Sequence, residues 1–291
     1  MSNINNYDID YTELLGKGAW GKIYKAWHYT QQKWYAVKIE PRNVIINGVK
    51  SVNMKQLLEK ESNIINAVCY CNPKNTLICY DYFSDEDNNY CILPLLGISL
   101  KHVITKIKIM NMVDIISIIP KMIEQIELVH NAGVIHRDIK PANFMYTCDL
   151  SQIVLIDFGL AIKKEDANNS CGFKGTINYM SINALKKGVP CINDDLYSLG
   201  YLILQLAYGS LFWADIKYKT KEERNKKLIL LKSNLSNDDL VRQFTCMNNC
   251  APSCSYRTAM HKYFTYIDKN TVIDYTYLKQ LFHGIIHNYY V

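Results

Sequence analysis

The sequence predicts an α+β fold: a small antiparallel sheet with one helix, followed by a larger and mainly helical part. Two patterns carry this. Through the first ninety-odd residues apolar and polar side chains alternate with the period of a half-buried strand, and beyond Gly97 apolar residues recur every three or four positions, as on a helix face. The third observation is length: 291 residues suffice for one generous domain or two lobes around a cleft.

The elements follow in order. Leu14-Leu15 leads into a glycine-rich loop, and Lys22 to Trp27 alternates as a strand. Tyr29 to Lys33 is a polar hairpin turn, and Trp34 to Ile39 is the next strand. Pro41 to Lys50 reads as a loop. Met54 to Val68 is helical, with Leu57, Leu58, Ile64 and Ile65 on one face. Leu77 to Phe83 and Tyr90 to Leu95 complete the sheet. Met112 to His130 is a long amphipathic helix, stopped by Gly133. Pro120 falls inside it and implies a kink or a restart, because proline removes a donor and crowds the preceding turn. Asp195 to Tyr208 and Tyr275 to Tyr289 are two further apolar helices. No repeat or long linker interrupts the chain, so residues 1–291 are expected to form one module, with a first lobe over about 11–96 and a second over 97–291.

Composition bounds the function. Hydrophobic residues make up 49% and charged residues 21%, the balance of an ordinary globular protein. No apolar run approaches the roughly 18 residues that span a bilayer, and the polar opening Met1 to Asn6 lacks the form of a secretory signal. A cytoplasmic, membrane-free monomer is expected. Among ten cysteines, Cys246, Cys250 and Cys254 could face one side of a helix, but Pro252 interrupts it and no CxxC pair is present, so free thiols are favoured over zinc. The net charge of +6 is concentrated in Lys217, Lys219, Lys221, Arg224, Lys226, Lys227 and Lys232. Such a run is either a solvated helix face or an anion-binding patch. Motifs that read nucleic-acid grooves are absent, so direct DNA or RNA binding is not expected. The abundance of Asn, Ile, Tyr and Lys suggests an AT-rich genome, viral or parasitic; a viral origin would place the protein in the host cytoplasm or nucleus.

The chemistry is concentrated in His136-Arg137-Asp138-Ile139-Lys140-Pro141-Ala142-Asn143 and, fourteen residues after Asn143, Asp157-Phe158-Gly159. Asp138 can accept a hydroxyl proton. Lys140 can neutralise a transferring phosphoryl group, while Asn143 and Asp157 offer the oxygen ligands that hard Mg²⁺ prefers. Each residue alone could be an ordinary cap or turn; the ordered set points to phosphoryl transfer. Upstream, the loop Gly16-Lys17-Gly18-Ala19-Trp20-Gly21 with Ile23 lies between two strands, whereas a dinucleotide fingerprint needs a helix to follow. It is better read as a flap over nucleotide phosphates, with glycines admitting close backbone approach and Trp20 at the tip. Lys38, after Ala36-Val37, would clamp the phosphates and Glu61 would orient it; Glu59 is the rival partner.

The whole arrangement resembles a eukaryotic protein kinase, and more narrowly the casein kinase I group, from about Leu14 to His287. The narrower match rests on Leu95-Leu96-Gly97-x-Ser99-Leu100, Asn143-Phe144, Gly175-Thr176-x-x-Tyr179-x-Ser181-Ile182-Asn183, Asp194-Asp195-Leu196-x-Ser198-Leu199-Gly200-Tyr201 and Gly209-Ser210-Leu211-x-Trp213. Lys38-Ile39-Glu40-Pro41 with Asn47-Gly48 is also similar to the neighbouring vaccinia-related kinases. The resemblance implies a bilobal kinase fold with ATP and Mg²⁺ between the lobes and Ser/Thr hydroxyls of proteins as acceptors. It implies Leu93 as gatekeeper, Pro94 to Leu96 as hinge, and Ile23, Ala36, Met145 and Ile156 around the adenine. Asp195 would anchor the catalytic loop. Thr176, Lys221 and Arg224 would face substrate, but Asn178 stands where the group has an arginine that reads acidic or pre-phosphorylated residues, so that preference is left open. The short loop from Leu160 to Lys174 implies activity without phosphorylation. Two other readings stand beside this one: a pseudokinase acting as a binding module, and a kinase of small molecules.

Overall fold

The computed structural model describes residues 2–18, 21–46, 49–51, 55–73, 75–107, 110–170, 172, 174–242 and 254–287. It divides into two compact units, one of residues 1–97 with 146–159 and one of 98–145 with 160–291.

The first unit is built on a six-stranded sheet. Strands β1 (Ser2–Ile4), β2 (Tyr7–Lys17), β3 (Lys22–His28) and β4 (Lys33–Pro41) are followed by a separate hairpin, β5 (Val44–Ile46) with β6 (Val49–Ser51). Helix α1 (Lys55–Cys71) then precedes β7 (Asp81–Ser84) and β8 (Asn88–Pro94). The sheet order is β1-β2-β3-β4-β8-β7, antiparallel throughout. Alternation sorts its side chains. Tyr7, Ile9, Ala26, Tyr35, Val37, Ile39, Tyr90 and Ile92 form a buried cluster, while Ile23, Ala36, Lys38 and Leu93 share the opposite face by strand register. The Pro41-to-Lys50 stretch is therefore not simply a loop: the β-branched residues Val44, Ile45, Ile46 and Val49 favour strand, and they pair. The strand expected from Leu77 begins only at Asp81.

The second unit is mainly helical. A short helix α2 (Leu100–His102) runs into a π turn and is followed by α3 (Met112–Asn131). Strand β9 (Val134–Ile135) precedes the catalytic-loop sequence, and later pairs with Ile162–Lys163. Helices α4 (Ile182–Leu185), α5 (Ile192–Tyr208), α6 (Lys221–Ser233), α7 (Asn237–Arg242), α8 (Cys254–Lys269) and α9 (Tyr275–His287) complete it. Asn111 and Asp114 form a reciprocal capping box at the start of α3. The helix does not restart at Pro120; it runs through as one element with Pro120 buried on its apolar face, so packing offsets the missing hydrogen bond. Gly133 follows at φ +72°, the left-handed turn that ends a helix. Among the described residues no helix is long and apolar enough to cross a membrane.

Candidate active site

In the first unit the glycine-rich loop is the turn of a hairpin. Gly16 pairs with Ile23 and Lys17 with Lys22, and the Gly18 amide donates to the Gly21 carbonyl at 2.9 Å. Gly21 lies so close to the neighbouring strand that a Cβ there would come within 2.3 Å of the Ile39 carbonyl oxygen. Ala19 and Trp20 lie outside the described residues, as do Asn47 and Gly48.

Lys38 is buried on β4, with Nζ 2.6 Å from Glu61 Oε2 and 3.2 Å from Glu40 Oε1. Glu61 is buried on α1, whereas Glu59 is exposed. Burial works to lower the Lys38 pKa, but the carboxylates of Glu61, Glu40 and Asp157 outweigh it and keep the ammonium protonated. Burial also pushes Glu61 upward, against the pull of Lys38. The sequence reading missed Glu40; the signal was available, because residues two apart on a strand share a face. One of its oxygens, Oε2, is buried without a hydrogen-bond partner.

Asp157 has a left-handed backbone, φ +65°, beside buried Phe158. A Cβ on Gly159 would meet Asp157 Oδ1 at 3.3 Å and Glu61 Oε2 at 3.4 Å, so glycine leaves these carboxylates room. Asp157 thus adds to the negative field that Glu61 and Glu40 set up around the Lys38 ammonium, and its carboxylate is the kind of hard oxygen donor that a divalent cation prefers. On the same strands Ala36 pairs with Leu93, and Pro94 with Tyr35. Leu96 and Ile156, also in this unit, are half-buried.

In the second unit Asp138 is buried and receives three side chains. Thr176 Oγ1 donates to Oδ1 at 2.7 Å, Lys140 Nζ to Oδ2 at 2.5 Å, and Asn143 Nδ2 to Oδ2 at 3.2 Å. Asn143 Nδ2 also donates to the Asp138 carbonyl, which leaves Oδ1 of Asn143 as its acceptor for a metal. Met145 pairs with Ser99 in an isolated bridge. The loop carrying these groups is tied to α5. Asp195, fully buried, accepts the backbone amides of His136 and Arg137, each at 2.8 Å, and His130 Nε2 at 2.9 Å. Burial would raise its pKa, but these bonds hold it below the usual carboxylate value.

The segment after Thr176 is tied to the same helix. Ser181 caps α4 and donates to Asp194 Oδ1, and Asn183 Nδ2 donates to both Asp194 oxygens. Gly175, at φ +117°, brings its α-carbon so near the catalytic loop that a Cβ would sit 2.5 Å from the Arg137 carbonyl oxygen. Arg224 Nη2 donates to Asn178 Oδ1 at 2.8 Å and stacks on Tyr218. Lys221 begins α6 and is exposed. Lys232 departs from the solvated-face expectation: it is buried over the rings of Tyr201 and Trp213, and donates to the carbonyls of Asn178 and Met180. Burial drives its pKa well below the usual lysine value. Cys246 and Cys250 lie outside the described residues, among which no cluster of metal ligands rich in His, Cys, Asp or Glu occurs.

A protein kinase domain model matches residues 9–274. The chain belongs to the protein kinase family. It is 32% identical over 248 residues to a probable casein kinase I homolog of Encephalitozoon cuniculi, covering 80% of this chain and 73% of that protein. It is 30% identical over 217 residues to a probable serine/threonine-protein kinase of Dictyostelium discoideum, covering 70% of this chain and 42% of that protein. The family and these relatives make it a serine/threonine protein kinase of casein kinase I type with the bilobal kinase fold, and the family in general uses ATP, a divalent metal and protein substrates.

Proposed function

We propose that this kinase is catalytically competent, uses Mg²⁺, and phosphorylates Ser/Thr hydroxyls without prior activation. The observation that carries the reading is Asp138, whose Oδ1 already accepts a hydroxyl, that of Thr176, at 2.7 Å. A substrate hydroxyl presented to the same carboxylate would lose its proton there as its oxygen attacks the γ-phosphorus. Lys140, bonded to the other oxygen, holds the carboxylate in place and carries the charge that the phosphoryl oxygens need. Lys38, fixed by Glu61, would position the nucleotide phosphates. Asn143 and Asp157 would hold the metal; bound, it would neutralise phosphate charge.

Independence from phosphorylation is supported by Arg137. Its guanidinium donates to the carbonyls of Leu160 and Ser170, so the loop that follows is held by the chain itself. Acidic or pre-phosphorylated substrates would meet Arg224 and Lys221 without the help of an arginine at Asn178, so the preference for them is weak. A monomer working in the cytoplasm, or in the host cytoplasm or nucleus if the gene is viral, is part of the same proposal.

The test is Asp138→Asn with phosphatase-treated wild type as its control. Radiolabel should pass from ATP to casein with the treated wild type, and not with the variant, while both bind nucleotide. Equal transfer by the two would overturn the assignment. No transfer by wild type with nucleotide still bound would favour a pseudokinase, and turnover of a small alcohol alone would favour a small-molecule kinase.

A further inference from the structure

Cys79 and Cys91 are both buried in the first unit, with their sulfurs 3.1 Å apart. That is closer than the roughly 3.5–4.0 Å at which packed carbon atoms settle, although sulfur is the larger atom. Buried cysteines commonly serve as small apolar side chains; a thiol–thiol hydrogen bond is a more specific arrangement. Cys91 lies on β8 directly across from Lys38 on β4 and from Tyr82 on β7. Cys79 lies two residues before β7, and the intervening Tyr80 amide bonds to the Ile92 carbonyl, which fixes the two segments side by side. Disulfide formation would need the sulfurs to close by roughly 1 Å.

We propose that Cys79 and Cys91 are a peroxide-sensitive dithiol that closes reversibly to a disulfide beside the Lys38–Glu61 pair. Cys79 is the attacking sulfur. It is the more exposed of the two, and the hydrogen bond they share lowers its pKa against the opposing effect of burial, whereas Cys91 is raised by the same bond and by burial. The Cys79 thiolate attacks one oxygen of hydrogen peroxide; the S–O bond forms, the O–O bond breaks, and the departing hydroxide takes a proton to leave as water. The Cys91 sulfur then attacks Cys79 Sγ. Its proton goes to the departing hydroxyl, the S–O bond breaks, and a second water leaves with the disulfide in place. Peroxide is reduced and the two thiols are oxidised. Cys91 sits directly across from Lys38 on the paired strand, so closure is expected to disturb the ammonium that places the phosphates. This consequence for transfer rests on the proposed kinase activity; disulfide formation itself does not.

The experiment treats the intact protein with hydrogen peroxide, blocks remaining thiols, and maps disulfides by peptide mass spectrometry. The expected product links the Cys79 and Cys91 peptides with loss of two hydrogens and disappears on treatment with dithiothreitol. Cys91→Ser should instead accumulate a dimedone adduct at Cys79. Wild type in which both thiols stay reduced, or in which Cys79 stops at the sulfenic acid or pairs elsewhere, overturns the site. Phosphoryl transfer by oxidised wild type should fall several-fold and recover with dithiothreitol. Equal transfer by oxidised and reduced protein would overturn the link to Lys38 while leaving the disulfide itself standing.

Discussion

Arg224 donates to the side-chain amide of Asn178 at 2.8 Å. The guanidinium is thus directed at a neutral neighbour. Asn178→Arg would add a further cation beside the proposed anion-binding residues Arg224 and Lys221. A charge-assisted hydrogen bond is worth about 1.5–3 kcal/mol when well formed, and about 1 kcal/mol is reasonable at a half-exposed position. The KM for a pre-phosphorylated peptide should fall about fivefold, with little change for an unmodified peptide. Steady-state kinetics on the matched pair check this; an equal change for both peptides would discard it.

Lys38 has two acidic neighbours of unequal reach, Glu61 at 2.6 Å and Glu40 at 3.2 Å. Removing one partner of a buried pair usually costs about 3–5 kcal/mol, but here a second carboxylate remains. Glu61→Gln should lower kcat about a hundredfold and Glu40→Gln less than tenfold. Lys38→Met should lose transfer almost entirely. A larger loss in Glu40→Gln than in Glu61→Gln would reverse the order of the two partners.

Asp195 ties stability to pH. Its folded pKa lies below the unfolded value, so its contribution is present above the ordinary carboxylate range, about pH 4, and is lost as pH falls through the folded value. Asp195→Asn removes that slope. Urea titrations at pH 7 should show the variant about 3 kcal/mol less stable, and the gap should narrow toward pH 3. A constant gap across this range would assign the pH dependence to other groups.

Gly175→Ala meets both a left-handed backbone and the Arg137 carbonyl. Strain of this kind costs about 1–3 kcal/mol, and the catalytic loop would have to shift to relieve it. The variant should unfold at lower urea and lose more kcat than nucleotide affinity. Unchanged turnover would mean that the loop yields freely at this point.

Much of this was legible in the sequence because its signals are local. Strand alternation located Lys38 on β4, and helical spacing located α3 and α5 with little error in their ends. The pairing of Lys38 with Glu61 rather than Glu59 depended on family resemblance, since single-turn periodicity does not say which glutamate faces a distant strand. Glu40 was passed over although it shares the face of Lys38. Lys232 looked like one more solvated cation; only the fold places Tyr201, Trp213 and two carbonyls around it. The contact of Cys79 with Cys91 likewise comes from the fold, which sets the segment before β7 beside β8, and their separation along the chain does not disclose it.

Ser181 and Asn183 hold Asp194 through a hydroxyl and an amide, without a cation. Mobile ions weaken attraction between opposite charges far more than they weaken neutral donors on a buried carboxylate. Raising the ionic strength of an assay should therefore loosen the proposed contacts of Arg224 and Lys221, on α6, with an acidic peptide, while the Ser181-to-Asn183 segment stays clamped to α5. Salt becomes a means of separating how this kinase chooses a substrate from how it is built.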